Sequence, residues 1–128
     1  MLAFLWDVHR RSAEKKDTPE KSSEVFNGHH KLVYTKKTVP RPLQDRDYLG
    51  HFVWSAVGSG FVLVSADGES PLHSPYDDCV RASYPSALKI KQLGDDPNRT
   101  TLEYVIQPDF CGNFPGWAAK YYIGYNLA

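Results

Sequence analysis

The chain has 128 residues, 41% of them hydrophobic and 13% aromatic, which is enough for one domain with a packed core and too few for several. Fifteen Lys plus Arg balance fifteen Asp plus Glu, so a formal net charge of +0 gives no general attraction to nucleic acid or to an acidic membrane. The aromatic content excludes an intrinsically disordered chain. The longest apolar stretch, 1–6, falls far short of the roughly 20 residues that a membrane helix needs, so a soluble protein is expected.

In chain order, Leu2, Leu5, Trp6 and Val8 have helical spacing and read as the end of a helix. It opens with no N-terminal cap, which suggests a piece of something longer. The polar run 12–23 reads as a solvated linker, or as a polar helix over 19–25 with Thr18 as cap and Pro19 at the first helical position. After the turn signal Asn27-Gly28 the pattern changes to alternation, with strands predicted over 31–39, 48–57 and 61–66. Gly58-Ser59-Gly60 joins the last two as a hairpin. The Gly-, Ser-, Pro- and Asp-rich segment 67–78 reads as a long loop of the kind that acts as a lid or binding loop. Two short strands follow, 79–84 and 88–93, then a turn at 94–98 and a clearly alternating strand over 99–107. Helical spacing of Trp117, Tyr121, Ile123, Tyr125 and Leu127 predicts a final helix that begins near Pro115 and runs to the end. The expected class is α+β: helix and polar linker over 1–26, antiparallel sheet over 27–114, and a C-terminal helix over 115–128 that covers the apolar face. A gap between such a sheet and one helix is a ready ligand cavity.

Cys79 and Cys111 have no Cys-x-x-Cys spacing, so neither a zinc ribbon nor a redox motif is available and two free thiols are expected. The first residues lack the basic start and cleavage site of a signal peptide, which points to the cytoplasm and makes the sequon at Asn98 a chance match.

Several phrases follow one another in order: Pro42-Leu43-Gln44-Asp45-Arg46-Asp47-Tyr48, a Trp-bearing hairpin, Val80-Arg81-Ala82 and Tyr84-Pro85-Ser86. Then come Glu103-Tyr104-Val105-Ile106-Gln107-Pro108-Asp109, Gly112 and Pro115-Gly116-Trp117. This ordered set resembles the START (StAR-related lipid-transfer) family, and Leu5-Trp6-Asp7 with Arg10 or Arg11 is similar to the helix before the central strands of some members. The resemblance implies a helix-grip fold, Bet v 1-like, in which a curved antiparallel sheet wraps a C-terminal helix and a hydrophobic tunnel holds one lipid. It further implies tunnel-lining roles for Phe52, Trp54, Leu63, Tyr84, Leu102, Tyr104, Ile106, Trp117 and Tyr121. The loop 67–78 and the helix from Pro115 would form the lid. Alternation independently places Phe52 with Trp54, and Leu102 with Tyr104 and Ile106, on shared faces; aromatics so placed can equally be plain core.

Two departures from the family pattern matter. Cholesterol-binding members carry a buried Arg where this chain has Phe52, which disfavours a sterol and leaves a phospholipid or other hydrophobic ligand. The chain is also short for a START domain, lacking the first helix and strands and stopping part-way along the last helix, so apolar wall would be exposed or a partner chain would complete the fold.

Arg46 with Asp47, and Arg81, read either as an ion pair that orients ligand or as structural ion pairs holding strand ends to the neighbouring loop, and the structural role is favoured because a partly buried Arg is normally paired. The carboxylate pairs Asp77-Asp78 and Asp95-Asp96 lie in turn-like sequence and read as solvated. His29-His30 has no further ligand at metal spacing, Cys111 lacks an activating signature, and no cofactor is implied. The expected function is therefore non-enzymatic lipid binding or transfer, with no nucleic-acid partner and at most transient membrane contact. The alternatives are an interaction module whose groove another chain completes, and an enzyme of the helix-grip type, for which only the poorly basic phenols of Tyr84 and Tyr104 are at hand.

Overall fold

The computed structural model describes Leu2, Trp6 and residues 20–70 and 79–120. Seven strands form one sheet: β1 (Glu20–Asn27), β2 (His30–Lys37), β3 (Asp45–Val57), β4 (Gly60–Asp67), β5 (Cys79–Ala82), β6 (Ser86–Leu93) and β7 (Asp96–Ile106). Their order is β1-β2-β3-β4-β6-β7, with β5 beside β3. This is the expected curved antiparallel sheet, followed by a helical turn at 116–120 that begins just after Pro115.

Two features depart from the sequence reading. The polar segment 20–27, expected as linker or helix, is a strand and the sheet begins there. Its residues have no apolar period because β1 is an edge strand, with Val25 and Phe26 exposed, and its ladder to β2 supplies the order that local propensity does not. Second, β5 pairs parallel with β3, Asp45 opposite Cys79 through Tyr48 opposite Ala82, so the sheet is not a pure meander. The thirteen-residue β3 has β2 along one edge and, along the other, β5 and then β4 end to end. Beyond β5 the chain stays attached to the far end of β7: Ser83 and Asp109 exchange backbone hydrogen bonds of 2.8 and 2.9 Å, and Gln107 N–H donates to the Pro85 carbonyl at 3.1 Å.

The β3–β4 hairpin turns at Gly58-Ser59, where Gly58 has φ +58°, the left-handed region that a side chain penalises. Gly60 is required for another reason, because a Cβ there would run into the Ile90 carbonyl on β6. Three apolar clusters hold the molecule: Leu63, Leu88 and Ile90 at the centre of the sheet; Leu32, Tyr34 and Leu49 on its opposite face; Val39 and Phe110 at one end, packed by Leu43, Phe114 and Ala119. Among the described residues no helix is long and apolar enough to cross a membrane.

Candidate functional site

Side chains alternate along a strand, so the register fixes which residues share a face. Lys31 lies opposite Phe52, Trp54 opposite Leu63, Leu63 opposite Leu88, and Leu88 opposite Tyr104. Ile90 is opposite Leu102, and Ser86 opposite Ile106. One face, here the site face, therefore carries Phe52, Trp54, Leu63, Leu102, Tyr104 and Ile106, six of the residues that the sequence nominated. Leu88 and Ile90 complete its apolar centre, and Tyr48, Ser65 and Ser86 add polar groups that the sequence reading passed over.

Burial divides these residues. Leu63, Leu88 and Ile90 are buried, with Phe52 and Trp54 packed around them, whereas Leu102 and Tyr104 on edge strand β7 stay 43% and 40% exposed. Trp117, on the helical turn, is exposed, and Tyr121 lies outside the described residues, as do 71–78 of the expected lid loop. Leu2 and Trp6 are helical and pack onto the Leu63, Leu88 and Ile90 cluster. The N-terminal segment thus reaches the site face, and Lys31 fastens it: its ammonium donates to the Trp6 carbonyl and sits 4.1 Å from the Trp6 ring centroid. A buried lysine in a strand was invisible to alternation alone, which treats every Lys as a surface residue.

Trp54 has a second task. Its indole N–H donates to the Gly28 carbonyl at 2.8 Å, its ring stacks on His29 at 3.9 Å, and Phe61 meets it edge-on at 5.8 Å. It therefore ties the β1–β2 turn to β3 while presenting apolar surface to the site face. His29 and His30, adjacent in sequence, go to different neighbours: His30 Nε2 shares a 2.9 Å hydrogen bond with His51 Nδ1, next to Phe26.

The polar groups gather around β4, β6 and Tyr84. Ser65 and Ser86, opposite one another, have hydroxyls 2.7 Å apart, and the Ser65 hydroxyl also reaches the Tyr84 carbonyl at 3.2 Å. The Tyr84 ring meets Tyr48 edge-on at 5.4 Å, and its phenol lies close to Tyr104. Burial pushes the Tyr84 phenol well above its ordinary value, with the neighbouring Tyr104 and Tyr48 adding to the effect. The Tyr84 phenol is consequently a neutral hydrogen-bonding group at physiological pH.

The ion pairing differs from the expectation for Arg46. Arg46 and Asp47 are successive residues of one strand and point to opposite faces, so they do not meet. Arg46, 2% exposed, instead donates to three backbone carbonyls: Phe110 at 2.8 Å, Gln44 at 2.5 Å and Cys111 at 2.9 Å, with its guanidinium 4.8 Å from the Phe114 ring. Asp47, completely buried, pairs with Arg81 at 2.7 Å and accepts the Tyr34 hydroxyl at 3.2 Å. Both cysteines are free, and the Cys111 thiol is raised by desolvation and by Asp109, the reverse of an activated nucleophile.

The fold is that of the START (StAR-related lipid-transfer) domains. Human STARD10 superposes with a TM-score of 0.83 at 21% identity, over 98% of this chain and 51% of that chain. The human StarD13 (DLC2) lipid transfer and protein localization domain gives 0.75 at 19% identity, over 94% and 61%. Human StAR-related lipid transfer protein 5 gives 0.72 at 14% identity, over 91% and 58%. This chain therefore spans between 51% and 61% of the length of those three structures. No family model matches the sequence, and no curated protein matches it.

Proposed function

We propose that this chain is a non-enzymatic lipid-binding module that holds one hydrophobic ligand against the site face. The observation that carries this reading is the distribution of apolar surface. A packed centre of Leu63, Leu88 and Ile90 is continuous in register with Leu102 and Tyr104, which face the same way and remain exposed. Contiguous apolar surface of this kind is costly to leave in water and marks a ligand or partner site. The similarity to domains described as lipid-transfer proteins points to a lipid. Phe52, Trp54, Ile106, Tyr84 and Trp117 would line the same surface, with Tyr121 a further candidate. The raised Tyr84 phenol cannot serve as a base near neutral pH, which favours a carrier over an enzyme.

The test uses two substitutions on one strand. Leu102→Glu puts a charge on the site face at an exposed position, and Val105→Glu puts one on the opposite face, where Val105 is 70% exposed. The expected result is a lipid-sized adduct in native mass spectrometry of the wild type and of Val105→Glu, lost in Leu102→Glu. An adduct unaffected by Leu102→Glu, or absent from the wild type, overturns the reading.

A second reading rests on β7, an edge strand with exposed apolar residues on both faces: the groove is completed by another polypeptide. A ligand-free dimer in the same spectrum favours it, and a lipid-loaded monomer removes it.

A further inference from the structure

The site face is apolar at its centre, but its polar groups are not scattered. They gather in two adjacent registers, Ser65 opposite Ser86 and the neighbouring Leu63–Leu88–Tyr104 row, and Tyr84 borders both, its backbone carbonyl accepting the Ser65 hydroxyl and its phenol lying close to Tyr104. We infer that the polar end of the bound ligand sits on the Tyr84, Tyr104, Ser65 and Ser86 cluster, and that it is an uncharged hydroxyl- or amide-bearing lipid head, not a phosphate. This rests on the lipid-binding reading above and names the ligand class of that site.

The charges around the cluster decide between the two kinds of head. A phosphate diester taken out of water needs a cation in hydrogen-bond contact to offset its desolvation. The charge next along β4 from Ser65 has the wrong sign: Asp67, whose carboxylate accepts the Ser83 hydroxyl at 2.5 Å and the Tyr84 backbone N–H at 3.2 Å. Among the described residues, the two buried cations of this face are engaged elsewhere. Arg46 is bound to three backbone carbonyls at the start of β3, and Lys31 holds Trp6 beside Phe52. What the cluster presents is uncharged hydroxyl groups: Ser65 is buried and engaged with the Tyr84 carbonyl and Ser86, while Tyr104 is exposed enough to be reached. The Tyr84 phenol keeps its proton, so it is a neutral partner throughout the physiological range. Hydroxyl and amide heads need a mixture of donors and acceptors without net charge, and this cluster offers that mixture.

The experiment compares four lipids with matched, fluorescently labelled acyl chains, ceramide, diacylglycerol, phosphatidylcholine and phosphatidic acid, together with a pyrene-labelled alkane that has no polar head. The wild-type chain is expected to take up the alkane and to bind ceramide and diacylglycerol about tenfold or more tighter than either phospholipid, the discrimination expected when a buried polar group finds or loses its partner. Tyr104→Phe removes an exposed hydroxyl and is expected to narrow that preference to about threefold or less while alkane uptake persists. Phospholipid binding as tight as ceramide, or a preference unchanged by both Tyr104→Phe and Tyr84→Phe, overturns the inference while leaving the lipid site standing. Failure of the headless alkane to bind overturns the lipid-binding reading and this inference with it.

Discussion

The Arg81 guanidinium closes a bidentate pair on the fully buried Asp47, with Nε to Oδ1 at 2.7 Å and Nη2 to Oδ2 at 3.2 Å. The two residues are Cα partners in the parallel β3–β5 ladder, so the pair clamps a four-residue strand that has little other pairing. Asp47→Ala removes the carboxylate that Arg81 binds with two nitrogens and that accepts the Tyr34 hydroxyl. Loss of one partner of a buried pair costs about 3–5 kcal/mol, so Asp47→Ala is expected to lower the unfolding free energy by that amount, read as a fall in the urea midpoint. Arg81→Met takes the guanidinium away from a completely buried carboxylate, whereas the Arg81 side chain left by Asp47→Ala is still 24% exposed and can reach water, so Arg81→Met is expected to cost at least as much. An unchanged midpoint in either variant would show that the pair does not hold β5.

Arg46 performs a different kind of anchoring. Its three donors satisfy the carbonyls of Gln44, Phe110 and Cys111, so one planar side chain binds the start of β3 to the segment that leads into the helical turn at 116–120. An ammonium cannot reproduce that planar fork. Arg46→Lys is therefore expected to destabilise the fold by about 2 kcal/mol or more, from carbonyls left without a charged donor. Amide exchange at 110–114 is expected to rise with it, while exchange in β4 and β6 changes only as far as global stability does.

The parts of this molecule that sequence could reveal are those set by period two. Alternation placed Phe52 with Trp54, and Leu102 with Tyr104 and Ile106, and the register confirms that these residues share a face. The turns at Asn27-Gly28 and Gly58-Ser59-Gly60 were legible because glycine marks them. Strand β1 was not, since an exposed edge strand made of Ser, Glu and Lys has no apolar signal and owes its conformation to β2. Two of the three partners of Arg46 lie 64 and 65 residues away, and all three are backbone carbonyls, which no side-chain pattern reports. Ser65, Ser86 and Tyr48 were not nominated for the site for a related reason: hydroxyl residues in a strand read as neutral filler until the fold places them beside one another.

Gly60 tests how closely β4 and β6 must approach. A Cβ at this position meets the Ile90 carbonyl and lies 3.1 Å from the Lys91 Cβ, both parts of a paired strand that cannot move alone. Gly58 has open space around it and only its φ of +58° to protect. Gly58→Ala is expected to cost about 1 kcal/mol from backbone strain alone. Gly60→Ala is expected to cost more, because the β4–β6 ladder must part locally. Thermal unfolding of the two variants checks this ordering, and a Gly60→Ala protein as stable as Gly58→Ala would mean that the strands have slack.

Tyr84 gives the fold an alkaline limit. In the unfolded chain its phenol ionises near pH 10, and in the folded protein burial and the neighbouring Tyr104 and Tyr48 raise that value. The folded state consequently keeps its proton where the unfolded state has lost it, so the contribution of this group to stability is fully present below about pH 10 and declines as pH rises beyond it. Urea midpoints measured from pH 8 to 11 are expected to be flat with respect to this group at first and then to fall. Tyr84→Phe removes the ionisable group, and its profile above pH 10 is expected to fall less steeply than that of the wild type. Absorbance of the ionised phenols should show the same thing from the other side, with a phenolate signal that appears in the wild type only as the fold is lost and is missing from Tyr84→Phe. A parallel decline in both proteins would place the alkaline sensitivity elsewhere and would mean that the Tyr84 phenol is better solvated than its position between Tyr48 and Tyr104 implies.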